Sequence, residues 1–255
     1  MTRSEPYPGT QTVRRAVALL KAFSDDRPER GLTELARALG LNKTTTYRLL
    51  TALEAEGMVA RAAQGDAYRL GPAAVALGGQ ALRSSDLRAA AHPALEALAQ
   101  ATQETATLEV VLDGQMLILD EVMGSHVLGS AQSLGTRWPI HVTSTGRAVL
   151  AHLPSAERDL LMPARLPRLT DKTLTRQADL RRALRAARER GYAVVAEELE
   201  AGYVAVGAPV RNFAGLVLGA ISLGGPSLRL TPDRWPALGR QVCEAATEIS
   251  RRLGA

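Results

Sequence analysis

The chain has very little cysteine and few aromatic residues, and both shortages limit what it can be. Cys243 is the single cysteine among 255 residues, so no disulfide can form within the chain, and a reducing cytoplasm is the expected location. Aromatic residues make up 4% of the chain and hydrophobic residues 46%, which predicts a core of Ala, Leu and Val. The length allows one large domain or two ordinary ones.

The sequence also lacks long apolar runs and the usual motifs of metal sites and catalysis. No run approaches the roughly 18 apolar residues of a membrane helix, and the first residues contain no apolar signal segment. The four histidines are scattered without metal-ligand spacing. No Ser-His-Asp order, phosphate-binding loop or GxGxxG fingerprint is present. We therefore expect no membrane contact, no metal, no cofactor and no enzymatic activity.

The net charge of +5 is distributed unevenly along the chain. Residues 1–71 contain 11 Lys and Arg against 8 Asp and Glu, whereas residues 72–255 contain 20 against 18. The excess of positive charge per residue is therefore about four times higher in the N-terminal segment, which suits contact with phosphate groups. This signal is weak by itself, because many basic proteins bind no nucleic acid.

The N-terminal segment shows the spacing of a helix-turn-helix. Apolar residues at helical intervals predict a first helix over 10–23, and a loop follows. Thr33 is expected to cap the second helix, which ends at Gly40 in the left-handed conformation. Asn42 is expected to cap a third helix, which Gly57 ends.

Two short strands are predicted directly after the third helix. Residues 58–63 and 67–70 are expected to pair around Gln64-Gly65-Asp66, which has turn residues where a hairpin needs them. This wing completes a winged helix-turn-helix over residues 10–71, a module that places one helix in the DNA major groove. Residues 1–9 are expected to form a disordered tail.

The outer face of the third helix presents small hydroxyl and cationic side chains near the helix N terminus. Such side chains can reach base edges while the helix end approaches phosphate. The predicted DNA-contacting residues are Thr33, Asn42, Lys43, Thr44, Thr45, Tyr47, Arg48, Arg61 and Arg69, the last two on the wing. The alternative is a helical hairpin packed for structural reasons, with a threonine-rich face that is merely solvated.

The rest of the chain mixes helices and strands without a regular repeat. Residues 72–85 predict a linker helix, and residues 86–101 a further helix in which Pro93 occupies the first turn or causes a kink. Asp113-Gly114 predicts a hairpin between two strands, and three more strands are expected between residues 191 and 225. The expected second domain, residues 86–255, is therefore an antiparallel sheet flanked by helices.

The chain resembles the IclR family of bacterial transcriptional regulators. The resemblance runs from TVRRAVALLKAF through LTELARALGLNKTTTYRLLTALEAEGMV and the wing ending YRLG into the second domain, in order over nearly the whole chain. It implies an α+β protein with an N-terminal winged helix-turn-helix, a linker helix and a C-terminal GAF-like α/β effector domain. It also implies self-association into dimers, often paired into tetramers, through the helix at 10–23 and the linker.

Two stretches of the second domain have the character of a ligand pocket. A predicted helix begins within residues Thr143 to Gly146, and Ser144 or Thr145 is expected to cap it. The backbone N–H groups at this helix N terminus could bind a carboxylate. Ser222 and Gly224 share one face of a predicted strand. The resemblance adds the strand near Tyr203 and Ala205. Gly224 and Ala205 stand where some relatives have serine and cysteine, which disfavours a small, polar keto acid.

The arginines near this helix suggest an acidic ligand. GTRWPIHVTSTGRAVLA and EELEAGYVAVGAPVRN resemble the subgroup that controls aromatic-acid catabolism, such as the β-ketoadipate pathway. Arg147 or Arg137 could pair with an aromatic carboxylate; alternatively, both are surface or dimer-interface residues. Glu198 is expected to line the pocket. The predicted effector-binding residues are Thr143, Ser144, Thr145, Arg147, Glu198, Tyr203, Ala205, Ser222 and Gly224.

The predicted function is ligand-responsive regulation of transcription. A dimer is expected to bind a pseudopalindromic DNA operator, and a small organic acid, aromatic or carboxylic, is expected to alter that binding. The sequence leaves open whether the ligand releases or strengthens DNA binding, and whether the protein represses or activates. The rival interpretation is a metabolite-binding or enzymatic domain that has a helical N-terminal adaptor for protein contacts.

Overall fold

The computed structural model describes residues 10–24, 26–63, 66–126 and 134–254. The chain divides into two compact units, Met1–Ser84 and Ser85–Ala255. The predicted tail at 1–9 and the wing-tip residues Gln64 and Gly65 lie outside the described residues. Among the described residues, every helix is too short or too polar to cross a lipid bilayer.

The described residues of the first unit form four helices and a small antiparallel sheet. The helices are α1 (Gln11–Leu20), α2 (Leu32–Leu39), α3 (Lys43–Ala55) and α4 (Pro72–Arg83), and the last coincides with the predicted linker. The strands are β1 (Arg30–Gly31), β2 (Val59–Arg61) and β3 (Ala67–Leu70), in the order β1-β3-β2. The sheet thus has one strand more than the predicted two-stranded wing.

Local capping explains where α2 and α3 begin and end. The Asn42 side chain accepts a hydrogen bond of 2.7 Å from the Thr45 backbone N–H, as predicted. Gly40 has φ +64° and closes α2 through hydrogen bonds to the carbonyls of Ala36 and Arg37, also as predicted. The predicted Thr33 cap is wrong. Gly31 is the N-cap of α2, because its pairing in β1 holds it extended directly before the helix.

The second unit is built around one six-stranded sheet. Its helices are α5 (Asp86–Thr102), α6 (Ser144–His152), α7 (Ser155–Leu161), α8 (Gln177–Arg190) and α9 (Trp235–Arg252). Its strands are β4 (Thr105–Leu112), β5 (Gln115–Val122), β6 (Arg137–Pro139), β7 (Ala193–Ala196), β8 (Tyr203–Arg211) and β9 (Val217–Pro226). All neighbours are antiparallel, in the order β6-β5-β4-β9-β8-β7, which confirms the predicted fold class.

Side-chain alternation along the strands divides the hydrophobic core of this unit into two layers. One face of the sheet packs against α5 and α9, with Leu108, Val206 and Ile221 fully buried between them. The other face packs against α6 and α8, with Met116 and Ala220 fully buried. The effector-site candidates of β8 and β9 belong to this second face, where α6 begins.

The structure decides one open alternative and corrects one predicted cap among the helices. Pro93 was predicted either to occupy the first turn of its helix or to cause a kink, and it lies in the interior of α5, which excludes the first-turn position. Thr143, not Ser144 or Thr145, is the N-cap of α6, and its hydroxyl accepts a hydrogen bond of 3.1 Å from the Gly146 N–H. Capping one residue earlier places Ser144 and Thr145 inside the first turn.

Candidate functional site

The outer face of α3 is the first candidate site. Thr46, Leu49 and Leu50 are buried against the domain core, so the opposite face of the helix is directed to solvent. Thr45 is half-buried, and the remaining predicted contact residues of this helix and its cap are exposed: Asn42, Lys43, Thr44, Tyr47 and Arg48. The structure therefore presents the predicted recognition surface to solvent.

A concave surface joins α3 to the wing. Tyr47, Thr33 and Arg61 all line it, so three predicted contact residues from different elements meet there. The Arg61 guanidinium lies 4.3 Å from the centre of the Tyr68 ring and 3.5 Å from a Glu54 carboxylate oxygen, which directs this side chain along the wing. Arg69 is exposed on β3 outside this concavity.

Arg30 is a structural residue of this unit that the sequence did not reveal. Its side chain is 10% exposed, and it donates hydrogen bonds to the Ala22 carbonyl at 2.9 Å and to Glu34 at 3.1 Å. These contacts join β1, the end of α1 and the start of α2. An arginine in a charged, loop-like stretch gives no local signal of burial, so the sequence offered no way to identify it.

The second candidate site is a small, partly enclosed cavity of about 10 Å³, room for about one water molecule as the side chains stand. It lies between the start of α6 and strands β4, β8 and β9. Five predicted effector residues line it: Thr143, Ser144, Tyr203, Ala205 and Ser222. The other lining residues are Glu109, Trp138, Val142, Val195 and Leu199. Thr145, Arg147, Glu198 and Gly224 were also predicted, but they are not among the residues that line the cavity.

Two glycines allow the close packing around this cavity. A side chain on Gly207 of β8 would collide with the backbone of Ser144 and Thr145, so this glycine lets the first turn of α6 lie directly on the sheet. A side chain on Gly224 of β9 would overlap the Tyr203 hydroxyl. The absence of a serine at 224 thus makes room for the tyrosine, which fills that side of the cavity.

Arg147 and Glu198 form a buried ion pair. Arg147 is 3% exposed and donates from both terminal nitrogens to the Glu198 carboxylate, with an Nη1–Oε1 distance of 2.8 Å. Its Nε donates to the His141 carbonyl at 2.9 Å, and the Leu174 N–H donates to Glu198 at 3.2 Å. Each nitrogen of the guanidinium is therefore engaged within the protein. The interpretation of Arg147 as a surface residue is wrong.

Arg137, the other arginine predicted to pair with a ligand carboxylate, and the nearby His141 both contact groups of the protein. Arg137 of β6 is one-third exposed and lies 3.9 Å from an Asp113 carboxylate oxygen. His141 is fully buried, and burial lowers its pKa, so the imidazole is neutral and donates from Nε2 to the Pro167 carbonyl at 3.1 Å. Neither residue lines the cavity.

Glu109 and Trp138 are polar cavity residues that sequence reasoning missed. Glu109 of β4 is 3% exposed, and its carboxylate accepts hydrogen bonds from Thr145 at 2.7 Å and from Thr107 at 3.2 Å. The Trp138 Nε1 is buried and has no hydrogen-bond partner among the described residues. The single glutamate in the apolar strand TATLEVVL could have identified Glu109 as a site residue, because a charged residue at an inward-facing position is rare and needs hydrogen-bond partners.

Comparison with known proteins identifies the family of both units. The IclR helix-turn-helix domain matches residues 12–63, and the bacterial transcriptional regulator IclR C-terminal domain matches residues 79–251. The HTH-type transcriptional regulator BhcR of Paracoccus denitrificans is 36% identical over 86% of this chain and 79% of its own. The glycerol operon regulatory protein of Streptomyces griseus is 34% identical over 96% of this chain and 97% of its own.

Solved structures show the same architecture. A putative IclR transcriptional regulator from Silicibacter sp. has a TM-score of 0.85 at 29% identity, covering 96% of each chain. An IclR homologue from Microbacterium hydrocarbonoxydans in complex with 4-hydroxybenzoate has a TM-score of 0.79 at 27% identity, covering 95% of this chain and 99% of that one. The curated relatives are named transcriptional regulators and repressors, not enzymes, as predicted. The chain belongs to the IclR family of bacterial transcriptional regulators.

Proposed function

We propose that this protein binds an operator through the outer face of α3 and the wing, and that a small organic acid in the cavity beside α6 alters that binding. The main support is the solvent-exposed set of hydroxyl and cationic side chains on α3, beside a wing that carries Arg61 and Arg69. The two sites are linked by a coupling free energy, which changes operator affinity when the cavity is filled.

Arg48→Ala is expected to weaken operator binding roughly tenfold or more, because an exposed arginine on the recognition face contributes to base or phosphate contact. Fluorescence anisotropy with a labelled promoter fragment measures the change. Wild-type affinity should fall steeply as salt rises, because phosphate contacts release counterions. Arg240→Ala, which removes an exposed arginine from α9, is the matched control and should bind as the wild type does. Equal affinities for both variants would exclude Arg48 from the interface.

The proposed effector class is an aromatic acid, in keeping with the resemblance to regulators of aromatic-acid catabolism. One structural relative was solved with 4-hydroxybenzoate, and this cavity has two aromatic rings, Trp138 and Tyr203, in its lining. With Arg147 paired to Glu198, the groups we assign to the ligand carboxylate are the unpartnered Trp138 N–H and the hydroxyls of Thr143 and Ser144. Calorimetry of the full chain with protocatechuate and 4-hydroxybenzoate tests this class; no heat from either ligand contradicts it.

We also propose that the protein self-associates through α1 and α4. Val13 and Val17 of α1 are 64% and 46% exposed, and Val75 and Leu77 of α4 are 75% and 55% exposed. Apolar side chains exposed in this number on two helices of a small unit suit an interface between copies of the chain. A dimer would place two recognition helices on the two halves of a pseudopalindrome. Light scattering should give the mass of a dimer or tetramer, and a monomer for Val17→Asp.

A further inference from the structure

The effector cavity contains an acidic group and no cationic group to balance it. Glu109 lines the cavity, and none of the other described lining residues is a lysine, an arginine or a histidine. The charge of Arg147, the arginine of α6, is already neutralised by its ion pair with Glu198. An acidic effector would therefore meet a carboxylate of the protein without any compensating positive side chain.

Within the described part of the chain, the Glu109 carboxylate accepts hydrogen bonds from hydroxyl groups alone. Thr145 of α6 and Thr107 of β4 donate to its two oxygens, and the Thr107 hydroxyl also lies 2.8 Å from the Ser222 hydroxyl of β9. Serine and threonine hydroxyls can rotate and can donate or accept, so this network accommodates Glu109 in its charged and in its neutral form. Two carboxylates confined together cannot both remain ionised at neutral pH without a large energetic cost.

We propose that an anionic effector binds this cavity together with one proton, which is taken from solvent and held by Glu109. The neutral carboxyl removes the repulsion between like charges and adds an O–H donor inside the cavity. This inference rests on the proposed function, because it requires that the effector be an organic acid. It makes Glu109 a specificity residue that ties effector affinity, and therefore operator occupancy, to pH.

The surroundings of Glu109 favour proton uptake near neutrality. Burial raises its pKa to about 7, although the hydrogen bonds from Thr145 and Thr107 lower it. The titratable or charged groups nearest this network are Arg147 and Glu198, which neutralise each other, neutral His141, the Tyr203 phenol, and Glu121 on β5 opposite Thr107. The same elements and those packed against them also carry His152 of α6, whose pKa burial lowers, Arg137 of β6, Arg211 of β8 and the charged residues of α8. None of these groups contributes to the shift in the pKa of Glu109.

Proton uptake can be measured directly by calorimetry of the full chain with 4-hydroxybenzoate. The observed heat at pH 8 should change with the ionisation enthalpy of the buffer in proportion to nearly one proton bound per ligand. Affinity should fall about tenfold between pH 6 and pH 8, because only the protonated fraction of Glu109 accepts the anion. The ligand carboxylate remains ionised over this range, so its own titration does not produce the change.

Two variants distinguish the role of Glu109 from a general effect of charge. Glu109→Gln mimics the neutral carboxyl, and its affinity should vary less than about twofold between pH 6 and pH 8. Thr145→Val removes a hydroxyl that favours the ionised form, so the midpoint of the pH dependence should move to higher pH. Glu121→Gln is the control for loss of a glutamate from the same sheet and should keep the wild-type profile.

The outcomes separate this inference from the proposed function. Binding of 4-hydroxybenzoate without proton uptake, or an unchanged pH profile in Glu109→Gln, overturns the inference and leaves the organic-acid effector intact. Absence of binding at both pH values overturns the inference and the effector class together. Operator binding, measured by anisotropy on the same preparations, stands independently of both results.

Discussion

Replacement of Glu198 by alanine is expected to destabilise the C-terminal unit by about 3–5 kcal/mol. The change leaves the Arg147 guanidinium buried with no carboxylate, and removal of one partner from a buried pair costs far more than the pair contributes. The Leu174 N–H loses its acceptor at the same time. This is a large share of the roughly 5–15 kcal/mol by which domains are stable, so partial unfolding near physiological temperature is expected.

Chemical denaturation followed by circular dichroism measures this loss. Glu200→Ala is the matched control, because that glutamate is exposed two positions away and its removal should cost less than about 0.5 kcal/mol. Joint replacement of Arg147 by Met and Glu198 by Leu should recover most of the stability, because no uncompensated charge then remains buried. A Glu198→Ala protein as stable as the wild type would show that solvent reaches Arg147.

Replacement of Leu50 by alanine is expected to destabilise the N-terminal unit by about 2–5 kcal/mol. Leu50 is fully buried on the inner face of α3, in a core that also includes Leu19, Leu35 and Tyr68. Truncation leaves a cavity that the surrounding side chains fill only in part. A small unit has little stability in reserve. Operator binding should therefore be lost at temperatures where the C-terminal unit remains folded.

Thermal unfolding and anisotropy, measured on the same protein, test this result. Leu70→Ala is the control for stability, because Leu70 is 42% exposed on β3 and its truncation should cost less than about 0.5 kcal/mol. Effector binding, measured by calorimetry at low temperature, should not change in Leu50→Ala. Retention of operator binding and of the wild-type melting temperature would contradict the role of Leu50 in holding the recognition helix.

Local patterns predicted most of the secondary structure. The inner face of α3, the Asn42 cap and the left-handed Gly40 were readable because each depends on residues within one helical turn. The Asp113-Gly114 turn was readable for the same reason, and both residues have positive φ as the tight hairpin requires. The errors at Thr33 and at the start of α6 were shifts of one or two residues, where several residues could have capped the helix.

The candidate cavity was predicted only in part. Thr143, Ser144 and Ser222 were identified because small hydroxyl residues at a helix start and on a strand face suggest a ligand site. The partners of charged groups could not be predicted in this way. Arg147 pairs with a glutamate 51 positions away, and Thr145 bonds to one 36 positions away, so neither contact leaves a periodic signal.

The sequence by itself determined the architecture of this protein and the surface that we propose for DNA contact, because helix spacing, strand alternation, caps and turns are properties of neighbouring residues. Only the tertiary structure decided the electrostatics of the proposed effector cavity. It paired Arg147 with Glu198, filled the space at Gly224 with Tyr203, and left Glu109 as the acidic group of the lining. The interaction energy of a charge buried in a core depends on the groups that the fold brings within a few ångströms of it. Those distances cannot be predicted from the order of the residues.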